Sequence, residues 1–242
     1  MNQTYQFMTT EEILKELEGY GNESTKRIFI KHGAKEPLYG VKVQDLKKIQ
    51  KRVKKDHELS LALFATGNSD AMYLAGLIAD EKKISKNDLN RWVNEANWYM
   101  ISEYTVPWIA SESNFGYELG LEWIDSHKER VASAGWCTLA CHASLKEDKN
   151  LHIDVYSALL DRIEKNIHQS ENRVRYTMNG FVISVGCYIE ALTSKALEIG
   201  QKIGKVKVDM GDTACKVPFA ADYIKKVMDK GRLGLKRKKA RC

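Results

Sequence analysis

A carboxylate set among aromatic rings is the first feature of this chain with chemical consequence. In the stretch ANWYMISEYTVPWIA, residues 96–110, Glu103 follows Tyr99 by four positions, with Trp98, Tyr104 and Trp108 close by. A spacing of four puts Tyr99 and Glu103 on one face of a helix. Trp98, Ser102 and Thr105 then point elsewhere, and Ile101 and Trp108 pack inward. Pro107 has no N–H, so the Glu103 carbonyl loses its helical donor and a kink is expected. A carboxylate beside rings is desolvated, and its pKa rises unless a partner offsets the loss of water. Three roles fit these residues. Glu103 pairs with an arginine of a neighbouring element, or it holds a cationic ligand with help from the ring faces, or it acts as a base or electrostatic stabiliser.

Arginines able to meet it open two later helices. Arg130 starts a helix expected over 128–143. Arg173 and Arg175 start one expected over 171–188, which also offers Tyr176, Asn179 and Phe181. A different chemistry is written in VKVQDLKKIQKRVKKD. Leu46, Ile49 and Val53 form an apolar stripe, and Lys47, Lys48, Lys51, Arg52, Lys54 and Lys55 surround it. Such a ridge can track phosphates with little sequence preference. It can equally be a solvated helix face. Cys137 and Cys141 stand beside His142, but no second pair has matching spacing, so a buried core role is expected rather than a metal site. The glycine-containing run GKVKVDMGDTACK fits neither a Walker loop nor a dinucleotide fingerprint.

Helices must position these groups. Prolines occur only at 37, 107 and 218, and the one alternating run, KVKVD at 205–209, is too short for a sheet. Thr9 with Glu12 and Ser85 with Asp88 have capping-box spacing. Periodicity predicts thirteen helices, near 9–18, 22–32, 42–55, 58–66, 69–79, 85–95, 98–110, 115–125, 128–143, 151–167, 171–188, 190–203 and 219–230. Short amphipathic helices alternate with more apolar ones, which begin near 69, 97, 128 and 171. One hairpin cannot cover its own apolar face, so the pattern fits stacked helical hairpins of the HEAT kind, a curved all-α solenoid. Its second helices would line one surface, with Ala75, Gly76, Ala132, Ala134, Gly135 and Gly180 allowing close approach. A compact helical bundle is the rival. The stretch 204–218 is an unusually long connection between helices.

The whole chain has 242 residues and a net charge of +6. Residues 225–242 hold nine Lys/Arg against one Asp, so the tail carries +8 and the rest −2. Residues 1–230 are expected to form one helical repeat domain, and 231–242 a basic tail. Five cysteines without a framework spacing suggest reduced thiols and a cytoplasmic setting. No run is long and apolar enough to suggest a membrane span. The first residues do not read as a secretory signal.

With these motifs in view, the chain resembles the AlkD-like DNA alkylation repair family of HEAT-like repeat proteins. EPLYGVKVQDLKKIQK, residues 36–51, is similar to that family's aromatic-Gly-Val entry into a basic helix. NWYMISEYTVPW is similar to its tryptophan-rich helix, with an acid four residues after an aromatic. RVASAGW, residues 130–136, resembles a repeat opened by a functional arginine. The resemblance implies a monofunctional glycosylase that releases cationic N-alkylated purines from duplex DNA, acting as a monomer with no metal or organic cofactor. Carried over by position, it assigns the acid to Glu103, the sugar-contacting aromatics to Trp98 and Tyr99, and the arginine to Arg130. A later aromatic falls on Phe181. Arg173, Arg175 and Asn179 would flank the substrate, and the basic ridge would hold the backbone. The chain departs from the family by having Glu103 for Asp, Tyr99 for Trp, and Ser184 where an arginine is expected. A non-catalytic binder of DNA shape and a protein-interaction scaffold are the alternatives.

Overall fold

The computed structural model describes residues 8–211 and 213–241. Among them, thirteen α-helices and a few single turns of 3-10 or π type form all the regular structure. In chain order these are α1 (Thr10–Tyr20), α2 (Glu23–Lys31), α3 (Val43–Val53), α4 (His57–Ala65), α5 (Ser69–Ile78), α6 (Lys86–Glu95), α7 (Val106–Glu112), α8 (Gly116–Trp123), α9 (Glu129–Leu145), α10 (Ile153–Asn166), α11 (Asn172–Tyr188), α12 (Thr193–Ile203) and α13 (Ala220–Asp229). Both expected capping boxes are present: Thr9 and Glu12 satisfy each other's backbone N–H at α1, and Ser85 and Asp88 do so at α6. Asn22, Asp56 and Asn68 cap α2, α4 and α5 with side-chain oxygens.

From α4 onward the helices pair, α4 with α5, α6 with α7, α8 with α9, α10 with α11 and α12 with α13. The second helices also touch in succession, α5 on α7, α7 on α9, α9 on α11 and α11 on α13. This is the stacked-hairpin solenoid, and the compact-bundle alternative is set aside. Small residues let the inner layer close up. A methyl on Gly76 would lie 2.4 Å from the Thr105 methyl, and one on Gly135 would lie 2.6 Å from the Ile124 nitrogen. Gly180 meets nothing within 4 Å and lies on the groove wall instead.

The segment leading into α3 is held by one carboxylate. Asp70, in the first turn of α5, accepts the N–H groups of Tyr39 (2.6 Å), Gly40 (3.0 Å) and Val41 (3.0 Å). Gly40 has φ of +79°, and a side chain there would strike the backbone of Lys26. The aromatic-Gly-Val stretch is therefore a docking turn, fixing α3 against α5.

The described part of the basic tail is bound to the fold. It runs along the C-terminal ends of four inner helices in turn. Gly234 N–H donates to Cys187 O (2.9 Å), and Lys236 Nζ to Tyr188 O (2.6 Å), both at the end of α11. Lys236 also reaches Ala143 O (3.0 Å), and Arg237 N–H reaches Ser144 O (2.8 Å), at the end of α9. Ala240 N–H donates to the Glu112 carboxylate, at the end of α7. Arg241 Nη1 donates to Gly76 O and Leu77 O in the last turn of α5 and to Ala79 O just beyond it. Last-turn carbonyls lack intrahelical donors and carry the negative end of the dipole, so cations belong there.

Candidate functional site

The opening helix does not simply kink at Pro107. Residues Ile101–Thr105 form a π turn, and Val106 N–H donates to Ile101 O before α7 begins with Pro107 in its first turn. Widening the turn absorbs the donor that proline cannot supply, and π turns concentrate at functional positions. Glu103 sits in this turn, facing α9 and α11 across the inner layer.

Its partner is Arg173. The guanidinium grips the carboxylate with both arms, Nε to Oε1 at 2.8 Å and Nη2 to Oε2. The Glu103 side chain is 1% exposed and that of Arg173 15%. The guanidinium carbon lies 4.4 Å from the ring centre of Tyr99 and 4.4 Å from that of Tyr176, so the cation is sandwiched. Glu129 accepts the Arg173 backbone N–H at 2.7 Å, fixing the first turn of α11. Met210, in the 204–218 connection, lies against the guanidinium, and Asn172 pairs with the backbone of Asp209. Burial pushes the Glu103 carboxyl above the usual range, and Arg173 pulls the other way. Burial also works against the arginine cation, but Glu103 outweighs it and holds Arg173 above its ordinary pKa.

The other expected site residues divide. Tyr99 is in place, and its hydroxyl meets His32 Nδ1 at 2.9 Å. Trp98 is buried beside it, packed on Phe29 and donating its indole N–H to His32 O at 2.7 Å. Arg130 opens α9 but is exposed and forms no pair with Glu103. The position expected for a catalytic arginine is thus not the one that meets the acid. Arg175 lies two residues on, on a smaller cavity lined by the 204–218 connection. Asn179 is buried and donates to Pro218 O at 2.9 Å. Phe181 does not face the groove; it is fully buried, between Trp136 and Tyr156. The cysteines at 137 and 141 line the groove, and His142 pairs with the Tyr156 hydroxyl rather than with a metal cluster. Sequence reading takes His32 for a lone surface histidine and passes over Glu129; the structure instead sets His32 against Trp98 and Tyr99. Neither has a local signal, because each acts through contacts made only on stacking.

The groove itself has a volume of about 740 Å³. Glu103, Tyr104, Trp108 and Tyr176 form part of its wall, and Lys226, Lys230, Arg232 and Arg237 stand along it. The α3 ridge is elsewhere and is partly neutralised. Arg52 pairs with Glu16, Lys55 with Asp80 and Glu81, and Lys48 with Asp45. Lys47 and Lys51 are exposed, as is Lys54 just past the helix end.

A solenoid of stacked helical hairpins, with a buried acid and aromatics on the inner layer, defines a HEAT-like repeat protein. Residues 13–216 match the family described as DNA alkylation repair enzyme, and the chain belongs to that family. Uncharacterized proteins of Listeria innocua and Listeria monocytogenes are 33% and 34% identical over 229 residues, covering 92% of this chain and 99% of each relative. A solved structure superposes with a TM-score of 0.89 at 39% identity, covering 97% of this chain and all of the other. That structure represents a new family of proteins related to the HEAT-like repeat DNA glycosylases, with affinity for branched DNA structures. Among the described residues no single helix is long and apolar enough to cross a membrane.

Proposed function

We propose that this chain, acting as a monomer, binds DNA of branched or otherwise non-linear shape through phosphate contacts and does not excise bases. The observation that carries the reading is the Glu103–Arg173 pair. Both carboxylate oxygens are engaged and the aromatic cation slot is filled by the protein's own guanidinium. An acid in that state has neither an oxygen nor an open face for a developing sugar cation. In this reading Glu103, Tyr99, Tyr176 and Arg173 stabilise the inner layer. Trp98 supports Tyr99, and Arg175 and Asn179 fix the connection beside it. Lys47, Lys51 and Lys54 contact phosphates. Lys48, Arg52 and Lys55 join them by exchanging weak surface pairs for DNA. The resemblance to a protein with affinity for branched DNA supports the choice of ligand.

One observation favours the glycosylase reading as a second. A cation held between two rings beside a carboxylate is also how an N-alkylated purine would sit, with Arg173 as its displaceable stand-in. One pair of measurements decides between them. Fluorescence anisotropy with a four-way junction and a linear duplex of equal length is expected to favour the junction by about tenfold or more (~1.4 kcal/mol). Release of 3-methyladenine and 7-methylguanine from methylated duplex is expected to stay at background. Equal binding of the two DNAs overturns the shape preference. Base release that Glu103→Gln abolishes overturns the non-catalytic assignment.

A further inference from the structure

We propose that the C-terminal strap, residues 232–239, with the adjoining end of α13, is a preformed phosphate rail along the groove; this rests on the DNA-binding reading above. The strap's backbone is pinned at Gly234, Arg237 and Ala240, and two of its cations are used as anchors. Lys236 joins the ends of α9 and α11 and pairs with Asp148, and Arg241 lies buried at the end of α5. The remaining cations are not used that way. Arg232, Arg237, Lys238 and Lys239 are exposed, and among the described residues their side chains form no ion pair or hydrogen bond. No acidic residue occurs between 230 and 241. Arg232 and Arg237 stand on the groove wall with Lys226 of α13 and Lys230 just past its end.

The contrast with α3 gives the inference its force. There, Lys48, Arg52 and Lys55 have acidic partners within the fold. On the strap four exposed like charges are held close together; the carboxylates that reach it, Asp148 on Lys236 and Glu190 beside Gly234, leave those four without a paired partner among the described residues, an arrangement that adds nothing to stability. A polyanion supplies what the fold withholds. From 232 to 239 the chain can span at most about 25 Å, which is several phosphates of a strand carrying one charge per about 3.4 Å. Arginine forks suit phosphate oxygens, and anchoring the backbone removes most of the ordering entropy that a disordered basic tail would lose on binding.

The test uses the full chain and a four-way junction, with anisotropy read between about 50 and 200 mM salt. Each lost phosphate contact flattens the log–log salt slope by about 0.9. Replacing Arg232, Arg237, Lys238 and Lys239 together by alanine is expected to weaken binding at least tenfold and flatten the slope by about two or more. The thermal midpoint should not move. A charge-preserving set, Arg232→Lys, Arg237→Lys, Lys238→Arg and Lys239→Arg, should bind within about threefold of wild type. If the wild type binds steeply with salt and the alanine set keeps both affinity and slope, the rail is wrong. If the wild type shows no salt-dependent binding at all, the DNA reading fails and takes the rail with it.

Discussion

Glu103 and Arg173 come from positions 70 apart in sequence, yet each accounts for the other's burial. Removing a carboxylate from water costs several kcal/mol, and a bidentate guanidinium held between two rings is among the few arrangements that offset it. The pair should therefore matter to folding even if it never touches DNA. Arg173→Ala leaves a buried carboxylate uncompensated and is expected to lose about 3–5 kcal/mol, read from urea unfolding at neutral pH. Adding Glu103→Gln to that variant removes the stranded charge and should recover a large part of the loss. If the single variant is within about 1 kcal/mol of wild type, the pair behaves like a surface salt bridge and the closed-site argument collapses. The sequence offered an arginine partner as one of three roles for Glu103 and did not show which arginine it would be. Arg130 and Arg173 both open inner helices, and only the offset between stacked repeats selects Arg173 for the slot between Tyr99 and Tyr176.

At the scale of elements, α9 and α10 are joined by a polar contact inside an apolar interface. His142 Nδ1 lies 2.9 Å from the Tyr156 hydroxyl, which also reaches Leu139 O. Burial, helped by Lys146, pulls the His142 pKa down to about 4 from 6.5. The unfolded chain thus binds the proton first, and stability falls as pH drops from about 6.5 towards 4. The contribution is fully present above that window and amounts to roughly 3 kcal/mol. Urea midpoints near neutrality and near pH 4.5, an acidity inside the window, should show wild type losing about 2 kcal/mol more than His142→Gln. An equal loss in both would mean that the histidine is already charged in the fold. Helix existence was legible because caps and periodicity are local: Thr9, Ser85 and the apolar stripes place twelve of the thirteen helices to within about three residues, the exception being the expected 98–110, where a π turn precedes α7. The π turn was legible only as a disturbance at Pro107, since whether a chain kinks or widens depends on its neighbours. Phe181 was misplaced for a related reason: α11 is apolar over much of its surface, and periodicity alone did not say which side met Trp136.

Across the whole molecule, the inner helices all present their C-terminal ends to one edge, and the tail closes that edge. This follows from the repeat itself. If every second helix runs the same way, their unsatisfied carbonyls and negative dipole ends line up, and a cationic segment laid across them meets each in turn. Composition marked the tail as basic; only the stack reveals a row of acceptors for it. Arg241 is the far anchor, donating to three carbonyls around the end of α5 and standing near Glu81 and Glu112. Glu81 also takes Lys55 from just beyond α3, so the strap ties the first repeats to the last. Arg241→Ala leaves those carbonyls and two carboxylates short of a donor, and is expected to destabilise by about 1–3 kcal/mol, a drop of several degrees in Tm. Amide exchange should quicken at the end of α5 before it does so elsewhere. Lys239→Ala, two residues away and exposed, should leave both unchanged. A strap that merely rests on the surface would make the two variants alike, so the difference between them measures how firmly the solenoid's edge is closed.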